Sequence, residues 1–209
     1  YEPQGFSWEN NLPEPLLTGI DTDERLAAFS IVEKSMELAA DLEALALVLH
    51  LGETNLSPQE EWLKTLYDQD RIESDEGKER ISQMLDERAR AGEAIWDPLQ
   101  YSLEAITRKA EKLDLFMGLE NRIYIHEVPT YIEIEKIQNS FAGGNFRYWH
   151  DTGHATVHQN LGLVDSESIL DRLGENLLGI HIHDAAGYND HIAPGQGDSN
   201  FSSLIPYLN

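Results

Sequence analysis

Phe146-Arg147-Tyr148-Trp149-His150-Asp151-Thr152-Gly153-His154 passes from an aromatic run directly into a cluster of titratable side chains. Such a run reads as a buried strand that delivers Asp151 at its carboxyl end and His154 three residues later. The same arrangement recurs on both sides of it. Upstream, Ala44-Leu45-Ala46-Leu47-Val48-Leu49 ends in His50-Leu51-Gly52, and Leu113-Asp114-Leu115-Phe116-Met117-Gly118-Leu119 ends in Glu120-Asn121-Arg122. Downstream, Leu177-Leu178-Gly179-Ile180-His181-Ile182 leads into His183-Asp184. Short continuous apolar runs of this kind are expected of parallel strands buried on both faces.

Helical signals separate the runs. Asp21 with Glu24 makes a capping signal ahead of an apolar stripe at Leu26, Phe29, Val32, Met36 and Ala39. Thr130 with Glu133 caps a helix through Ile137, and a helix carrying Ile169, Leu170 and Leu173 stops at Gly174. Ser57-Pro58-Gln59-Glu60 opens a long charged helical stretch to Leu113, expected to break at Gly77, Gly92 and Pro98. Residues 1–20, with Pro3, Gly5, Pro13, Pro15 and Gly19, read as a loop. Strand and helix alternate without hairpin signals, which favours a parallel sheet with crossover helices. A doubly wound sheet and a barrel both fit that alternation. Two features favour the barrel: each strand ends in a His or a carboxylate, as on the catalytic face of a (β/α)8 barrel, and no glycine-rich phosphate loop follows any strand. The expected fold class is α/β, a (β/α)8 TIM barrel incomplete at the N-terminus and at the last strand, because a full barrel takes about 250 residues. The expected organisation is one partial barrel domain over 1–209, with a helical insertion at about 56–112 that forms a lid or a subunit contact.

Composition narrows the functional classes. The 209 residues are 41% apolar, enough for one sizeable core. Thirty-eight Asp and Glu against fifteen Lys and Arg give a formal charge of −23, so the mean field repels phosphate backbones and anionic lipid, and neither nucleic acid nor membrane is an expected partner. With no cysteine, disulfides and thiolate metal sites are excluded, and any metal must be held by His, Asp and Glu. No apolar run approaches the roughly 20 residues of a membrane span, and a cytoplasmic location is expected.

His50, Glu120, Asp151, His154 and His181 are the hard or borderline ligands that Mn, Mg, Co or Zn would use. One strand-end His or Glu alone is more often structural. Several converging without a cation would leave buried like charges, which is costly. His126, His150 and His158 are expected to be ordinary surface histidines, and Trp8, Trp62, Trp96 and Trp149 to serve core or interface packing before any sugar contact.

The series Val48-Leu49-His50-Leu51-Gly52, Gly118-Leu119-Glu120-Asn121-Arg122, Asp151-Thr152-Gly153-His154-Ala155, His181-Ile182-His183-Asp184 and His191 through Pro194-Gly195-Gln196-Gly197 resembles the xylose isomerase-like TIM barrels. That superfamily comprises sugar phosphate isomerases, ketose 3-epimerases and apurinic endonucleases. The resemblance implies a divalent-metal sugar or sugar-phosphate isomerase/epimerase that transfers a proton through a metal-stabilised enediolate. It implies Glu120, Asp151 and His181 as ligands of one ion, a further glutamate on a last strand beyond this sequence, Glu120 and His154 in catalysis, and His50, His154, His183 and His191 at the substrate, with His154 equally a ligand of a second metal and His50 and His191 equally a partial second site. A small-molecule sugar or sugar phosphate is the implied partner, with a homodimer as the default assembly. Two other readings stay open: a zinc-dependent phosphodiester hydrolase of the apurinic endonuclease type, and a non-catalytic barrel fragment. The endonuclease branch uses an Asp-x-His pair where this chain has Asn189-Asp190-His191, which counts against three fully ligated zinc ions unless Asp190 substitutes through a shifted loop.

Overall fold

The computed structural model describes residues 15–58 and 60–208. Most of the loop expected at 1–20, including Pro3, Gly5, Trp8 and Pro13, falls outside the described residues, as does Gln59 of the 57–60 capping signal. In chain order the first elements are α1 (Thr22–Asp41), β1 (Ala46–Leu49), β2 (Gly52–Glu53), α2 (Glu60–Asp68), α3 (Asp75–Ala94) and α4 (Trp96–Leu113). There follow β3 (Phe116–Glu120), β4 (Glu127–Val128), α5 (Tyr131–Ser140), β5 (Phe146–Asp151), α6 (Thr152–Asn160), α7 (Ser166–Leu173), β6 (Leu177–His181), β7 (Asp184–Ala186) and β8 (Asn189–Ile192).

β1, β3, β5 and β6 form a parallel four-stranded sheet in that order, each strand beside the next in sequence. Parallel neighbours need helical crossovers. Here α4, α5 and α7 supply them, and with α1 they cover one face. That face carries the main core: Leu49, Met117, Leu119, Phe146 and Tyr148 from the strands meet Met36, Leu103, Ile106, Ile134, Ile137 and Leu170 from the helices. Each such side chain stabilises the fold by about 1.5–3 kcal/mol on burial, which outweighs helix propensities of a few tenths.

Several local expectations need correction. β1 was expected to be buried on both faces, yet only Leu49 of its four residues is fully buried, because among the described residues the helices cover one side only. Asp21 does cap α1, accepting from Asp23 N and Glu24 N, but Leu26 of the expected stripe stands 60% exposed while Ala28, Met36 and Ala39 are buried. The 113–119 run is a strand only from Phe116: α4 continues to Leu113 and closes on Asp114 in the left-handed conformation.

The charged stretch breaks after Asp68 and at Ile95. Gly77 lies inside the first turn of α3, where Ser74 caps its N–H, and Pro98 sits in the first turn of α4, where its missing N–H costs nothing. Gly92, also within α3, has a different reason. A Cβ there would stand 2.5 Å from Glu133 Oε1 and 2.7 Å from Arg88 Nη1, so glycine leaves room for a buried ion pair. α4 is the sheet's crossover helix, whereas α2 and α3 build a second core with α6 from Leu63, Leu66, Ile81, Met84 and Val157. Finally, β7 and β8 form an antiparallel hairpin that the sequence reading missed. Its turn is only Gly187-Tyr188, with Gly187 at φ +59°.

Candidate functional site

Side chains alternate across a strand, so register decides which residues share a face. The pairs Val48 with Gly118, Glu120 with Trp149, and Asp151 with His181 put Glu120, Trp149, Asp151 and His181 on the face away from the helices. Trp149 lies across Gly118 and Gly179; a Cβ on Gly179 would come within 2.2 Å of its ring. Its indole edge meets the His181 ring at 5.3 Å between centroids. One residue past the Leu49–Leu119 pair, His50 reaches the same place.

Three donor atoms, one each from Glu120, Asp151 and His181, lie within 4.8 Å of one another at the ends of three adjacent strands. Glu120 Oε1 is 2.5 Å from His181 Nδ1, and Asp151 Oδ2 is 3.7 Å from that nitrogen. Glu120 Oε2 meets His50 Nε2 at 2.9 Å and accepts from Arg122 Nη1 at 2.7 Å. Burial alone would raise the Glu120 carboxyl. Hydrogen bonds from His50 and His181, with the charges of His154 and Arg122, outweigh it and hold the pKa at about 2, so the group is ionised. Two buried carboxylates and a half-exposed imidazole, converging, are a donor set that suits a hard or borderline divalent cation.

Asp151 is held from several sides. As N-cap of α6, it accepts His154 N on Oδ1 at 2.8 Å, and His183 Nε2 donates to Oδ2 at 2.8 Å. Asn121 clamps its backbone, accepting Asp151 N on Oδ1 at 2.8 Å and donating Nδ2 to Asp151 O at 2.9 Å. The buried Tyr148 hydroxyl donates to the same Asn121 oxygen at 3.2 Å. Gly153 is small because of His183: a Cβ would stand 2.2 Å from that ring.

A second group, His154, His183, Asp190 and His191, also places one donor atom each within 4.8 Å. His154 Nδ1 donates to Asn121 O at 2.8 Å, and its Nε2 faces Asp190 Oδ2 at 3.7 Å. Asp190 Oδ2 also accepts His191 Nδ1 at 2.5 Å. The hairpin therefore brings Asp190 beside the two histidines although Asn189 occupies the expected position. His183 is already engaged through both nitrogens, since Nδ1 accepts His191 N at 3.1 Å. His191, at φ +58°, is a non-glycine residue in the left-handed region, and such strain is often stored at functional sites. Beneath the hairpin the buried Asp184 carboxylate collects four backbone N–H groups, from Ala185, Gly195, Gly197 and Ser199. Burial opposes its ionisation, but those donors keep its pKa well below the usual carboxylate range.

All the sequence-predicted residues thus gather at one end of the sheet, in two adjoining groups with His50 at the rim. The sequence reading singles out Asn121 and Arg122 beside Glu120, and Asp184 beside His183, but assigns none of the three a role. It also misplaced three histidines. His150 is 3% exposed and bonded to Tyr148, His126 stacks on Tyr124, and His158 Nε2 donates to Ile123 O at 2.8 Å. Among the described tryptophans, packing is the observed role for Trp62 and Trp96, while Trp149 borders the site.

Burial keeps His158 neutral, with a pKa of about 4 against 6.5 for a free imidazole. The unfolded imidazole therefore takes up its proton first. Its contribution to stability is whole above about pH 6.5 and is lost as pH falls from there toward 4. His158→Gln, which keeps a donor but does not titrate, should lose less stability than wild type between pH 7 and pH 4.5, by on the order of 2 kcal/mol. Urea midpoints at the two pH values measure it; equal losses would show that His158 contributes nothing.

No family model matches the chain, and no curated protein matches it in sequence. Solved structures do match. A D-tagatose 3-epimerase-like protein superposes with a TM-score of 0.66 at 20% identity, covering 94% of this chain and 63% of its own. A xylose isomerase domain protein from Planctomyces limnophilus gives 0.56 at 13%, covering 92% and 57%. The fold is that of part of a xylose isomerase-like TIM barrel, four parallel strands with their crossover helices. A D-allulose 3-epimerase from Methylomonas sp. gives 0.61 at 14%, covering 94% and 56%. The chain thus spans less than two thirds of the length of these neighbours. No described helix is long and apolar enough to cross a membrane.

Proposed function

We propose that this chain belongs to a divalent-metal-dependent isomerase or epimerase of free or phosphorylated sugars. The observation that carries the reading is the convergence of Glu120, Asp151 and His181 on one point at the ends of adjacent parallel strands. The solved neighbours named as a D-tagatose 3-epimerase-like protein and a D-allulose 3-epimerase support a sugar as the substrate class. In this reading Glu120, Asp151 and His181 hold Mn, Mg, Co or Zn. The cation, when bound, supplies Lewis acidity toward a substrate carbonyl and its neighbouring hydroxyl.

The rest of the work falls to the chain. Glu120 moves a proton at the carbon beside the carbonyl. His154, its ring oriented by Asn121 O, takes part in catalysis and contacts a substrate oxygen through Nε2; His50 and His191, exposed at the rim, bind further hydroxyls or a phosphate. His183 serves the substrate side indirectly: its nitrogens hold Asp151 and the His191 backbone, and its ring stacks on His191 at 4.2 Å. A single barrel domain belongs to the same proposal, with α2 and α3 as the insertion, since α4 is the sheet's own crossover helix. α2 reaches the hairpin through Tyr67 against Tyr188, as a lid would.

Elemental analysis of purified protein beside Asp151→Ala tests the premise. About one ion per chain, lost in the variant, is the expected result, and no tightly held metal in the wild type refutes the reading. The second group of donors favours one alternative, a zinc-dependent phosphodiester hydrolase. Two or three zinc ions per chain, with phosphodiesterase activity, would replace the first reading with that one.

A further inference from the structure

Behind the Glu120 group, between α3, α5 and α7, lies a cavity of about 550 Å³. Small-molecule sites usually span about 300–1,000 Å³ and are mostly apolar with a few polar groups. This one is walled by Leu85, Ala89, Ile125, Ile132, Leu163 and Leu173. None of Glu120, Asp151 and His181 lines it, although Asn121 and Arg122, which bond to Asp151 and Glu120, stand in the wall between the two. Two apolar side chains stand open to solvent beside it, Ile132 at 66% and Leu85 at 39%.

Its charge is unlike that of the rest of the chain. The sequence as a whole carries 15 Lys and Arg against 38 Asp and Glu. Along this cavity Arg88, Arg90, Arg122, Lys136 and Arg172 outnumber Glu93, Glu127 and Glu133. Four of those cations are already neutralised: Arg88 by Glu133, Arg122 by Glu120 and Glu127, Lys136 by Glu93, and Arg172 by Glu135. Arg90 makes no hydrogen bond or ion pair among the described residues. An uncompensated guanidinium at the edge of an apolar hollow, on a strongly acidic protein, selects for an anion with an apolar body.

We infer that this cavity is a binding site for a small amphipathic anion, an aryl or medium-chain alkyl group bearing one carboxylate or sulfonate, with its charge at Arg90. The inference does not depend on the reading of the metal ligands. Two dyes test it on the full chain: 1-anilinonaphthalene-8-sulfonate, which is anionic, and N-phenyl-1-naphthylamine, the same ring system without the sulfonate. The sulfonate dye should bind once per chain and at least about threefold more tightly than the neutral one. Arg90→Glu, at an exposed position, should abolish that preference. Ala89→Trp and Ile132→Trp, which fill the cavity from opposite walls, should each weaken both dyes about tenfold, with circular dichroism and melting temperature unchanged. Equal binding of the two dyes would overturn the inference, as would dye binding that ignores both tryptophans. Dye binding that falls as the chain self-associates with concentration would also overturn it, by showing that a second copy covers the cavity.

Discussion

If the proposed function holds, replacing Glu120 with glutamine should lower proton transfer on a ketose substrate by about 10²–10⁴-fold, while metal content at saturating Mn²⁺ should stay near one ion per chain. The carboxylate is 3% exposed, ionised, and aimed by His50, His181 and Arg122 at the point where Asp151 and His181 also converge. Glutamine keeps the shape and one donor oxygen but cannot take a proton. The readout is incorporation of solvent deuterium at the carbon next to the carbonyl, across a panel of ketohexoses and their phosphates. Asp151→Ala tests whether metal is held, whereas Glu120→Gln tests whether this residue moves the proton. Wild-type exchange in the variant with normal metal content would remove Glu120 from catalysis.

The largest stability effect is expected far from that chemistry. Arg88 on α3 makes a bidentate pair with Glu133 on α5, both bonds at 2.8 Å, and also donates to Ile125 O and Glu127 O. Glu133 is the reciprocal member of the capping box with Thr130. Arg88 is 3% exposed. Glu133→Ala should therefore destabilise the fold by about 3–5 kcal/mol in urea unfolding, since it leaves a buried guanidinium unpaired. Replacing both partners, Arg88→Met with Glu133→Leu, should cost much less, because no charge is then stranded. A Glu133→Ala cost below about 1 kcal/mol would show that water reaches the arginine.

That pair also marks a limit of the sequence reading. Thr130 and Glu133 were legible as a capping box because the pattern is local. Arg88, 45 residues earlier, was one charge among many on an acidic helix, and the adjacent Gly92 read as a helix breaker when it clears space for the pair. The histidines divide similarly. His50 and His181 were recognisable because each follows or closes an apolar run. Nothing adjacent in sequence distinguishes His150, which alternation turns into the core beside Tyr148.

The sequence by itself determined the succession of four strands and their helices, because apolar periodicity and capping act over a few residues. It also determined which side chains stand at the strand ends, and that any metal must take oxygen and imidazole donors. Tertiary structure alone decided that Glu120, Asp151 and His181 share one face and one point, since that depends on a parallel register spanning 61 residues of chain. It also decided that Asp190 turns inward on a two-residue hairpin, that Asn121 and His183 grip Asp151, and that Asp184 gathers the 195–199 backbone beneath them. Those outcomes depend on hydrogen bonds and close approaches between segments distant in sequence, which no local pattern records.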